Sequence, residues 1–386
     1  MSAAAVTNLF PLGIATGVAH CNRDAERRLL RSNLRGGRHT WLWARRRMGK
    51  TSVIEQVLGE LARGRPVVPS VKLDLNVVHD AESMEERIRE GVARLSVALM
   101  PQGRKHQQTL LDAFQRFSPE LTLGAPGVTL RLRAPQALAP GISEILLALD
   151  EAAGRWKRRG VLVMDEFQQI TSLTYGSTQF TLEGAIRHAV ERARNITYVF
   201  SGSERRLLQD MFENPDRPLY RHCEKMTLKR IESNHYQQFF DQASQARWGR
   251  AFAAELTDSI LAQTVRHPYY VNALCSRIWD LPAQPTLDEI QSTWQHLALQ
   301  DEPVVSYMVR NLSATQRAML VGIALAGSIE YPTGREFLAS IRLSASTGNV
   351  AKDVLEENDL IRQREDARWE LVDPIMAAYI QRVSRA

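Results

Sequence analysis

The chain has 386 residues, 44% of them hydrophobic, which suggests two or three domains with sizeable cores. Three scattered cysteines (Cys21, Cys223 and Cys275) without a C-x-x-C pair exclude a disulfide framework and a cysteine zinc site, and no apolar run approaches the about 20 residues of a membrane span. The net charge of +6 is mild, but residues 23–47 carry nine arginines against two carboxylates, which fits a nucleic-acid contact, a nearby triphosphate or a solvated helix.

The first predicted elements alternate helices and strands. Residues 22–34 form a predicted helix with Asn22 as a possible N-cap, and the glycine pair at 36–37 ends it. This helix is followed by a strand at 39–44, a helix at about 49–63, a strand at 66–76 and a helix at 81–99. Residues 101–140 are less regular, and "ELTLG" and "GVTLRLR" on either side of "APG" indicate a β-hairpin insertion at about 118–134.

The alternation then resumes up to about residue 202. A helix is predicted at about 141–158, a strand at 160–166, a helix at about 178–193 and a strand at 196–202. The runs "VLVM" and "YVF" are almost continuously apolar, as in strands covered on both faces. We therefore expect an α/β fold with a buried parallel sheet within residues 1–230.

Beyond residue 230 the pattern becomes helical. Residues 231–305 are predicted to form a small helical domain, and residues 306–386 have the helix–helix–helix–hairpin order of a winged helix. Its strands are "LIRQ" and "RWELV". The first residues show no basic stretch before a long apolar one, so we expect a cytoplasmic protein without a signal peptide.

The segment "ARRRMGKTS" (44–52) carries the first chemical signal, because it lies between a predicted strand and a predicted helix and resembles a phosphate-binding loop. Backbone N–H groups and the helix dipole bind polyphosphate at such a helix start. A side chain at Gly49 would obstruct that approach, and Ala44 in place of the first glycine is tolerable if it needs no positive φ. The alternative is a chance "GKT" at a basic helix start. The predicted nucleotide-binding residues are Ala44, Arg47, Met48, Gly49, Lys50, Thr51 and Ser52, of which Lys50 would reach the β- and γ-phosphates and Thr51 would ligate Mg²⁺.

The second part of the site is predicted at the end of "VLVMDE" (161–166), on a buried strand that we expect next to the strand of the phosphate-binding loop. Asp165 would hold Mg²⁺, and Glu166 would accept the proton of the attacking water or orient that water. Adjacent carboxylates at the end of a buried strand are costly unless they meet a cation. The alternative is a strand end with two solvated acids.

Two further segments offer groups for catalysis. In "FSGSE" (200–204) we favour Ser201 as the residue that senses the γ-phosphate, while Ser203 has helix capping as its alternative. The segment 214–226 offers Arg217 and Arg221, either of which is a surface arginine or one supplied to a neighbouring subunit. The predicted catalytic residues are Lys50, Glu166, Ser201 and Arg221.

These segments together resemble a known family. "HCNRDAERRLL" (20–30) is similar to a box that precedes the phosphate-binding loop, and "VLVMDEFQQI", "VFSGSERRLLQDMF" and "RHPYYVNAL" (266–274) complete the pattern. The chain resembles the archaeal-type P-loop ATPases of the STAND branch, near the AAA+ and origin-recognition ATPases. "LVDPIMAAYI" (371–380) resembles the segment that closes their winged helix.

The resemblance implies a P-loop NTPase core, a helical lid, a C-terminal winged helix, and ATP-driven switching or oligomerisation with Mg²⁺. It also implies nucleotide-site roles for Arg23 and Glu26, from the N-terminal box, and for His267 and Pro268, from the lid motif. Asn22 and Arg266 stand where the family has glycine. Arg266 is either a cationic sensor of the γ-phosphate or the sign of a differently placed lid.

Three functions remain open from the sequence. The first is an ATP-hydrolysing switch that forms a homo-oligomer or binds a protein partner through its winged helix. The second is a DNA-associated ATPase of the initiator or transposition-regulator type, and the third is a nucleotide-binding scaffold without turnover. We do not favour DNA, because the candidate recognition helix at 346–360 sets Lys352 against several carboxylates.

Overall fold

The structure, a computed structural model, describes residues 9–117, 119–124, 127–132, 138–173 and 181–384. Contacts between residues divide the chain into two units. The core unit comprises residues 23–229, and the lid–wing unit comprises residues 9–22 together with 230–384. The chain thus passes between the units once between residues 22 and 23 and again between residues 229 and 230.

A parallel sheet forms the centre of the core unit. Its strands among the described residues are β1 (Thr40–Trp43), β2 (Ser70–Asp74), β5 (Gly160–Asp165), β6 (Ile196–Gly202) and β7 (Glu224–Thr227), while β3 (Glu120–Gly124) and β4 (Gly127–Arg131) form an antiparallel hairpin. The sheet order is β2–β5–β6–β1–β7, and each neighbouring pair is parallel. Every residue of β5 and β6 is buried, as their apolar runs predict.

Helices separate these strands along the chain. They are α1 (Asp24–Gly36), α2 (Lys50–Arg63), α3 (Ala81–Leu99), α4 (Arg104–Ala113), α5 (Leu138–Arg155), α6 (Thr181–Arg192) and α7 (Arg205–Glu213). A 3-10 helix covers Phe167–Ser172, directly after β5. The α/β architecture and the alternation of helices and strands are confirmed.

The expectation that β1 and β5 are adjacent strands of the sheet is wrong, because β6 lies between them. In the register of the sheet, Ser201 on β6 pairs with Leu42 on one side and with Asp165 on the other. Parallel strands place their carboxyl ends at one edge of a sheet. The insertion of β6 therefore brings Ser201 between the phosphate-binding loop and the acidic pair.

Several local predictions also differ from the structure. Asn22 does not cap α1; Arg23 occupies that position, and both residues have positive φ, of 50° and 65°. Strand β2 begins at Ser70 rather than near residue 66, because Pro66 and Pro69 have no N–H to donate to a neighbouring strand. Helix α4 and strand β7 were not predicted, and the turn "APG" of the predicted hairpin includes residues 125–126, which lie outside the described part of the chain.

A half-buried histidine, His39, connects β1 to its surroundings in the core unit. The ring of His39 accepts a hydrogen bond from the Tyr198 N–H at Nδ1 (3.1 Å), and its Nε2 lies 3.1 Å from the Val190 carbonyl oxygen. These partners define a neutral ring that donates from Nε2. Burial is the largest influence and lowers the pKa of His39 below 6.5, despite the opposing hydrogen bond to Val190 and the charge of Asp150.

The lid–wing unit is mainly helical. Its described elements are α8 (Ser233–Trp248), α9 (Ala254–Thr264), α10 (Pro268–Ile278), α11 (Leu287–Arg310), α12 (Ala314–Ala326), α13 (Arg335–Ser340), α14 (Ala345–Glu357), β8 (Ile361–Gln363), β9 (Trp369–Leu371) and α15 (Pro374–Val383). Strands β8 and β9 form the predicted antiparallel hairpin. No helix in the described ranges combines the length and apolar character needed to cross a membrane.

The N-terminal segment 9–22 packs into the lid–wing unit. Leu9 and Phe10 are 5% exposed, and the Phe10 ring lies 4.6 Å from the Trp279 ring. The Asn272 side-chain amide donates to the Pro11 carbonyl at 2.8 Å. One apolar cluster joins this segment to residues from α8 through α15, and α11 runs across the predicted boundary at 305/306. The division at 231–305 and 306–386 stays a prediction.

Candidate active site

The phosphate-binding loop leaves β1 and enters α2. Ala44 is fully buried and has no positive φ, so alanine meets the condition under which it can replace the first glycine. Gly49 precedes the helix with φ of 85°, and a Cβ built there meets no atom within 4 Å. Within the protein, glycine is favoured at this position by its left-handed backbone. The obstruction of a phosphate by a side chain at Gly49 stays a prediction.

Lys50, the first residue of α2, lies in a cluster of carboxylates. Its ammonium is 2.6 Å from Glu166 Oε1 and 3.1 Å from Asp165 Oδ1. The Lys50 and Asp165 side chains are each 8% exposed. A buried pair of carboxylates at a strand end needs a cation, and here Lys50 supplies it.

Asp165 and Ser201 are joined across neighbouring strands. The Ser201 hydroxyl, fully buried, donates to Asp165 Oδ1 at 2.6 Å. Lys72 on β2, which the sequence analysis missed, lies 4.0 Å from Asp165 Oδ2 and 3.0 Å from Glu55 Oε1. Lys72 alternates with buried residues along β2, a pattern that gives no sign of proximity to Asp165 before the strand order is known.

Glu166 is held by several donors in an unusual backbone conformation. Its φ is 54°, and its Oε2 accepts hydrogen bonds from Gln168 Nε2 at 2.6 Å and from the Ser203 hydroxyl at 3.0 Å. Burial alone would raise the pKa of Glu166, but the Lys50 charge and the hydrogen bonds from Lys50, Gln168 and Ser203 hold the pKa below its ordinary value. Glu166 is therefore ionised at neutral pH.

Gln168 and Gly202 are further site residues that were not singled out from the sequence. A Cβ at Gly202 would lie 1.9 Å from the Gln168 amide oxygen, so glycine is required for the amide to occupy this place. Gln168 was visible in the sequence only as part of "DEFQ", and its role depends on the turn that follows β5. Ser203, considered as a helix cap, instead binds Glu166, whereas Glu204 is the N-cap residue of α7.

Arg23 connects the N-terminal box to the phosphate-binding loop. Its guanidinium, 5% exposed, donates to Glu26 Oε1 at 2.9 Å and to the Met48 carbonyl at 3.3 Å. Arg47 within the loop has φ of 60°. Thus Arg23 joins Glu26 to Met48 of the loop, while contacts of Arg23, Glu26, Arg47 and Met48 with nucleotide stay predictions.

The two candidate arginines after α7 have different surroundings. Arg217 binds Glu183 Oε2 at 2.6 Å and lies 3.3 Å from Asp210 Oδ2, so its charge is used inside the core unit. Arg221 is exposed, with its guanidinium 5.0 Å from the centre of the Tyr220 ring. Of the two, Arg221 is the one whose charge faces solvent.

The lid-motif residues belong to the lid–wing unit. Pro268 is the first residue of α10, and His267 is its N-cap residue and is 4% exposed. Arg266 has φ of 55° and pairs with Glu232 at 2.6 Å. Pro268 suits the first position of a helix, while the His267 side chain makes no capping hydrogen bond to α10. A role of the three residues in sensing nucleotide stays a prediction.

The donors predicted for Mg²⁺ are the Thr51 hydroxyl, at the start of α2, and the Asp165 carboxylate. Both are hard oxygen ligands, of the kind that Mg²⁺ takes together with water and phosphate oxygens. Among the described residues, no group of three or more histidine, cysteine or acidic side chains could hold a metal by itself. The donor set thus fits a Mg²⁺ ion that is bound together with a triphosphate rather than a metal site made by protein alone.

Comparisons with known proteins agree with this fold. Residues 305–382 match the family model described as "probable winged helix domain". No curated protein sequence matches the chain. A Walker-type ATPase of Pyrococcus abyssi is similar in structure, with a TM-score of 0.67 and 16% identity, over 97% of this chain and 99% of the other.

The ORC2 protein of Aeropyrum pernix is also similar. Its ADPNP–ADP complexes give a TM-score of 0.56 at 13% identity, with 98% of each chain covered, and its ADP form gives 0.50 at 13% identity over 99% of this chain and 98% of the other. At these identities the likeness shows the fold. The fold is that of a P-loop NTPase core followed by helices and a C-terminal winged helix, as the resemblance to origin-recognition-related ATPases implied.

Proposed function

We propose that this protein is an ATP-binding and ATP-hydrolysing molecular switch that works with Mg²⁺ in the cytoplasm. The observation that carries the proposal is the meeting of Lys50, Asp165, Glu166 and Ser201 at one edge of a parallel sheet, at the start of a helix. This is the set of groups that phosphoryl transfer to water requires.

Each residue has a defined task in this proposal. The backbone of residues 44–49 and the start of α2 bind the phosphates, together with the Lys50 ammonium. Thr51 and Asp165 would hold Mg²⁺, which when bound would supply positive charge to offset the charge that develops in the reaction. Glu166, kept ionised and oriented by Gln168 and Ser203, accepts a proton from the attacking water.

The contacts of Lys50 suggest how nucleotide could change the conformation. In the structure Lys50 pairs with Glu166, while the proposed chemistry needs Lys50 on phosphate and Glu166 on water. A triphosphate in the loop would compete for Lys50 and release Glu166 from this pair. The turn after β5, which carries Glu166 and Gln168, would then rearrange with nucleotide state.

We further propose that the winged helix contacts protein, in a homo-oligomer or a partner, rather than DNA. On α14, Lys352 pairs with Asp353 at 3.1 Å and with Glu356 at 2.8 Å, so little positive charge is left for phosphate. In the hairpin, Arg362 pairs with Glu370 and Arg368 donates to Ser328. Salt-sensitive binding of a duplex, measured by fluorescence anisotropy and weakened by Lys352→Ala, would contradict this preference.

Steady-state ATPase assays and nucleotide titrations of full-length variants test the proposal. Lys50→Ala should abolish both binding and turnover. Glu166→Gln should retain ATP binding and lower turnover by roughly 100-fold or more, because it removes the general base. Glu151→Gln, an exposed carboxylate paired with Arg155 on α5, is the matched control and should leave both unchanged.

Size-exclusion chromatography with and without ATP, run on the same variants, tests the switch. An ATP-dependent change of elution in Glu166→Gln, absent from Lys50→Ala, is the expected result. If the wild-type protein binds ATP but shows no turnover, and Glu166→Gln behaves in the same way, the result would instead favour the non-catalytic scaffold.

A further inference from the structure

The lid–wing unit contains a cavity of about 340 Å³ with an arginine-rich wall. Its charged lining includes Arg230, Arg266, Arg362 and Arg364, and Leu261 contributes to an apolar side. We call this cavity the basic pocket. Among the described residues that line it, the arginines outnumber the carboxylates, which are Glu370 and Asp258.

Three arginines of the basic pocket share one carboxylate. Glu370, 7% exposed, accepts from Arg362 Nε at 2.8 Å and from Arg230 Nη1 at 3.0 Å, and Arg364 Nη1 lies 3.7 Å from its other oxygen. Glu370 is thus shared by three guanidiniums, and the second carboxylate beside Arg364 is the exposed Asp366. A guanidinium whose partner is shared or exposed to solvent can exchange that partner for an anion at little cost.

The outer arginines have partners that an anion could displace. Arg364 lies 3.1 Å from Asp366, whose side chain is 48% exposed, and Arg266 lies 2.6 Å from Glu232, which is 59% exposed. Exposed ion pairs contribute little to stability, so exchanging them for an anion costs little. Arg266 and Arg364 are therefore available to bind a ligand while Arg230 and Arg362 maintain the structure.

The N-terminus of α8 adds to the same positive field. Ser233, its first residue, lines the basic pocket, and the preceding Glu232 makes no side-chain cap to the helix. The first turn of a helix of 16 residues carries the positive end of the helix dipole and attracts anions. Arginine forks and a helix start are the groups that bind phosphate oxygens most effectively.

We propose that the basic pocket binds a small phosphorylated molecule, at a site other than the nucleotide site proposed above. The guanidiniums and the α8 start would bind the phosphate, and the apolar side formed by Leu261, Ala262 and Val265 would contact the rest of the molecule. The volume lies in the range of pockets for small ligands and exceeds the size of a single phosphate ion. In this proposal Arg266 binds the ligand of the basic pocket rather than the γ-phosphate of ATP.

Isothermal titration of the full chain with pyrophosphate and with AMP tests this proposal. The chain carries Lys50→Ala in every sample, so that the phosphate-binding loop does not contribute. We expect one binding event for at least one of these probes. Adding Arg266→Gln and Arg364→Gln together should weaken it by about tenfold or more, because charge-assisted contacts to phosphate are lost.

Of two further variants, one is expected to tighten binding of the probe and the other to leave it unchanged. Asp366→Asn removes the partner of Arg364 and should tighten binding severalfold. Arg335→Gln, an exposed arginine elsewhere in the lid–wing unit, should leave binding unchanged. A thermal unfolding midpoint equal to that of the parent shows that each variant is folded, and if the double variant fails this check, Arg266→Gln alone replaces it.

Two results would overturn the proposal. The first is that neither probe binds, or that binding is the same in the arginine variants as in the Arg335→Gln control. The second is that neither small probe binds while a DNA duplex does so, with the same dependence on Arg266 and Arg364. In that case the pocket would recognise a nucleic-acid backbone. Neither result bears on the proposed ATPase activity, because that activity is measured separately, through the core-unit variants Lys50→Ala and Glu166→Gln.

Discussion

Left-handed backbone conformations surround the phosphate-binding loop. Arg23, Arg47 and Glu166 have positive φ without being glycine, and each lies beside a predicted contact to nucleotide or water. Such conformations cost free energy and persist where the surrounding contacts hold them. The sequence predicted the identity of these residues but not their backbone, because the contacts that impose it come from other elements.

His39 should make the stability of the core unit depend on pH. Its pKa is lowered in the folded protein, so below about pH 6.5 the unfolded chain binds the proton more readily. The stabilising contribution of the neutral ring is therefore complete above that pH and decreases as the pH falls towards the folded-state pKa. Protonation also removes the acceptor for the Tyr198 N–H.

Thermal unfolding between pH 7.5 and 5 checks this expectation. His39→Gln should lower stability at pH 7.5 by roughly 1–2 kcal/mol through lost hydrogen bonds, and should flatten the decrease towards pH 5. His79→Gln, an exposed histidine of the same unit, should keep the wild-type pH profile. If His39→Gln and the wild type show parallel profiles, His39 does not account for the pH dependence.

At the scale of elements, the insertion of β6 between β1 and β5 determines the site. Local periodicity predicted β5 and β6 well, since both are continuous apolar runs. Strand order depends on long-range pairing and could not be derived from those runs. Strand β7 was missed for a local reason, because "EKMT" buries only Met226 and carries little apolar signal.

Arg217 should stabilise the core unit rather than serve catalysis, because it connects α6 to the loop after α7. Burial raises the pKa of Glu183, and the Arg217 charge opposes this by stabilising the ionised carboxylate. Arg217→Ala would leave Glu183 buried without its cation and should destabilise the protein by about 3 kcal/mol or more. Arg221→Ala, at an exposed residue, should change stability by less than about 0.5 kcal/mol.

Urea unfolding of both variants measures this difference. A loss of stability that is equal for Arg217→Ala and Arg221→Ala would show that the Glu183 contact contributes nothing specific. The packing of α6 thus distinguishes Arg217 from Arg221, the two arginines considered for supply to a neighbouring subunit. The local sequence around 214–226 does not reveal this packing.

At the scale of the whole molecule, the proposed oligomer predicts that Arg221 acts on the nucleotide of a neighbouring subunit. Arg221→Ala should bind ATP normally and lose turnover by at least about tenfold, because a trans arginine stabilises transition-state charge. The Lys50→Ala variant keeps Arg221, but its phosphate-binding loop is expected not to bind ATP. Mixing the two inactive variants should restore part of the turnover, since some interfaces then combine an intact loop with an intact arginine.

The mixing experiment is measured as ATPase activity against the ratio of the two variants. A maximum at an intermediate ratio supports the trans assignment. Activity that never exceeds the sum of the separate variants, or full activity of Arg221→Ala alone, shows that Arg221 has no such role.

The assignment of residues 9–22 to the lid–wing unit has a consequence for the order in which the protein matures. These residues are synthesised before the core unit, whereas their packing partners in 230–384 are synthesised after it. At roughly 5–20 residues per second, the partners need about another 10–30 s after residue 229. During that interval the core unit can complete its sheet, while Leu9 and Phe10 remain without the helices that later bury them. Nascent chains are thus expected to complete the loop at residues 44–49 before the lid–wing unit can form.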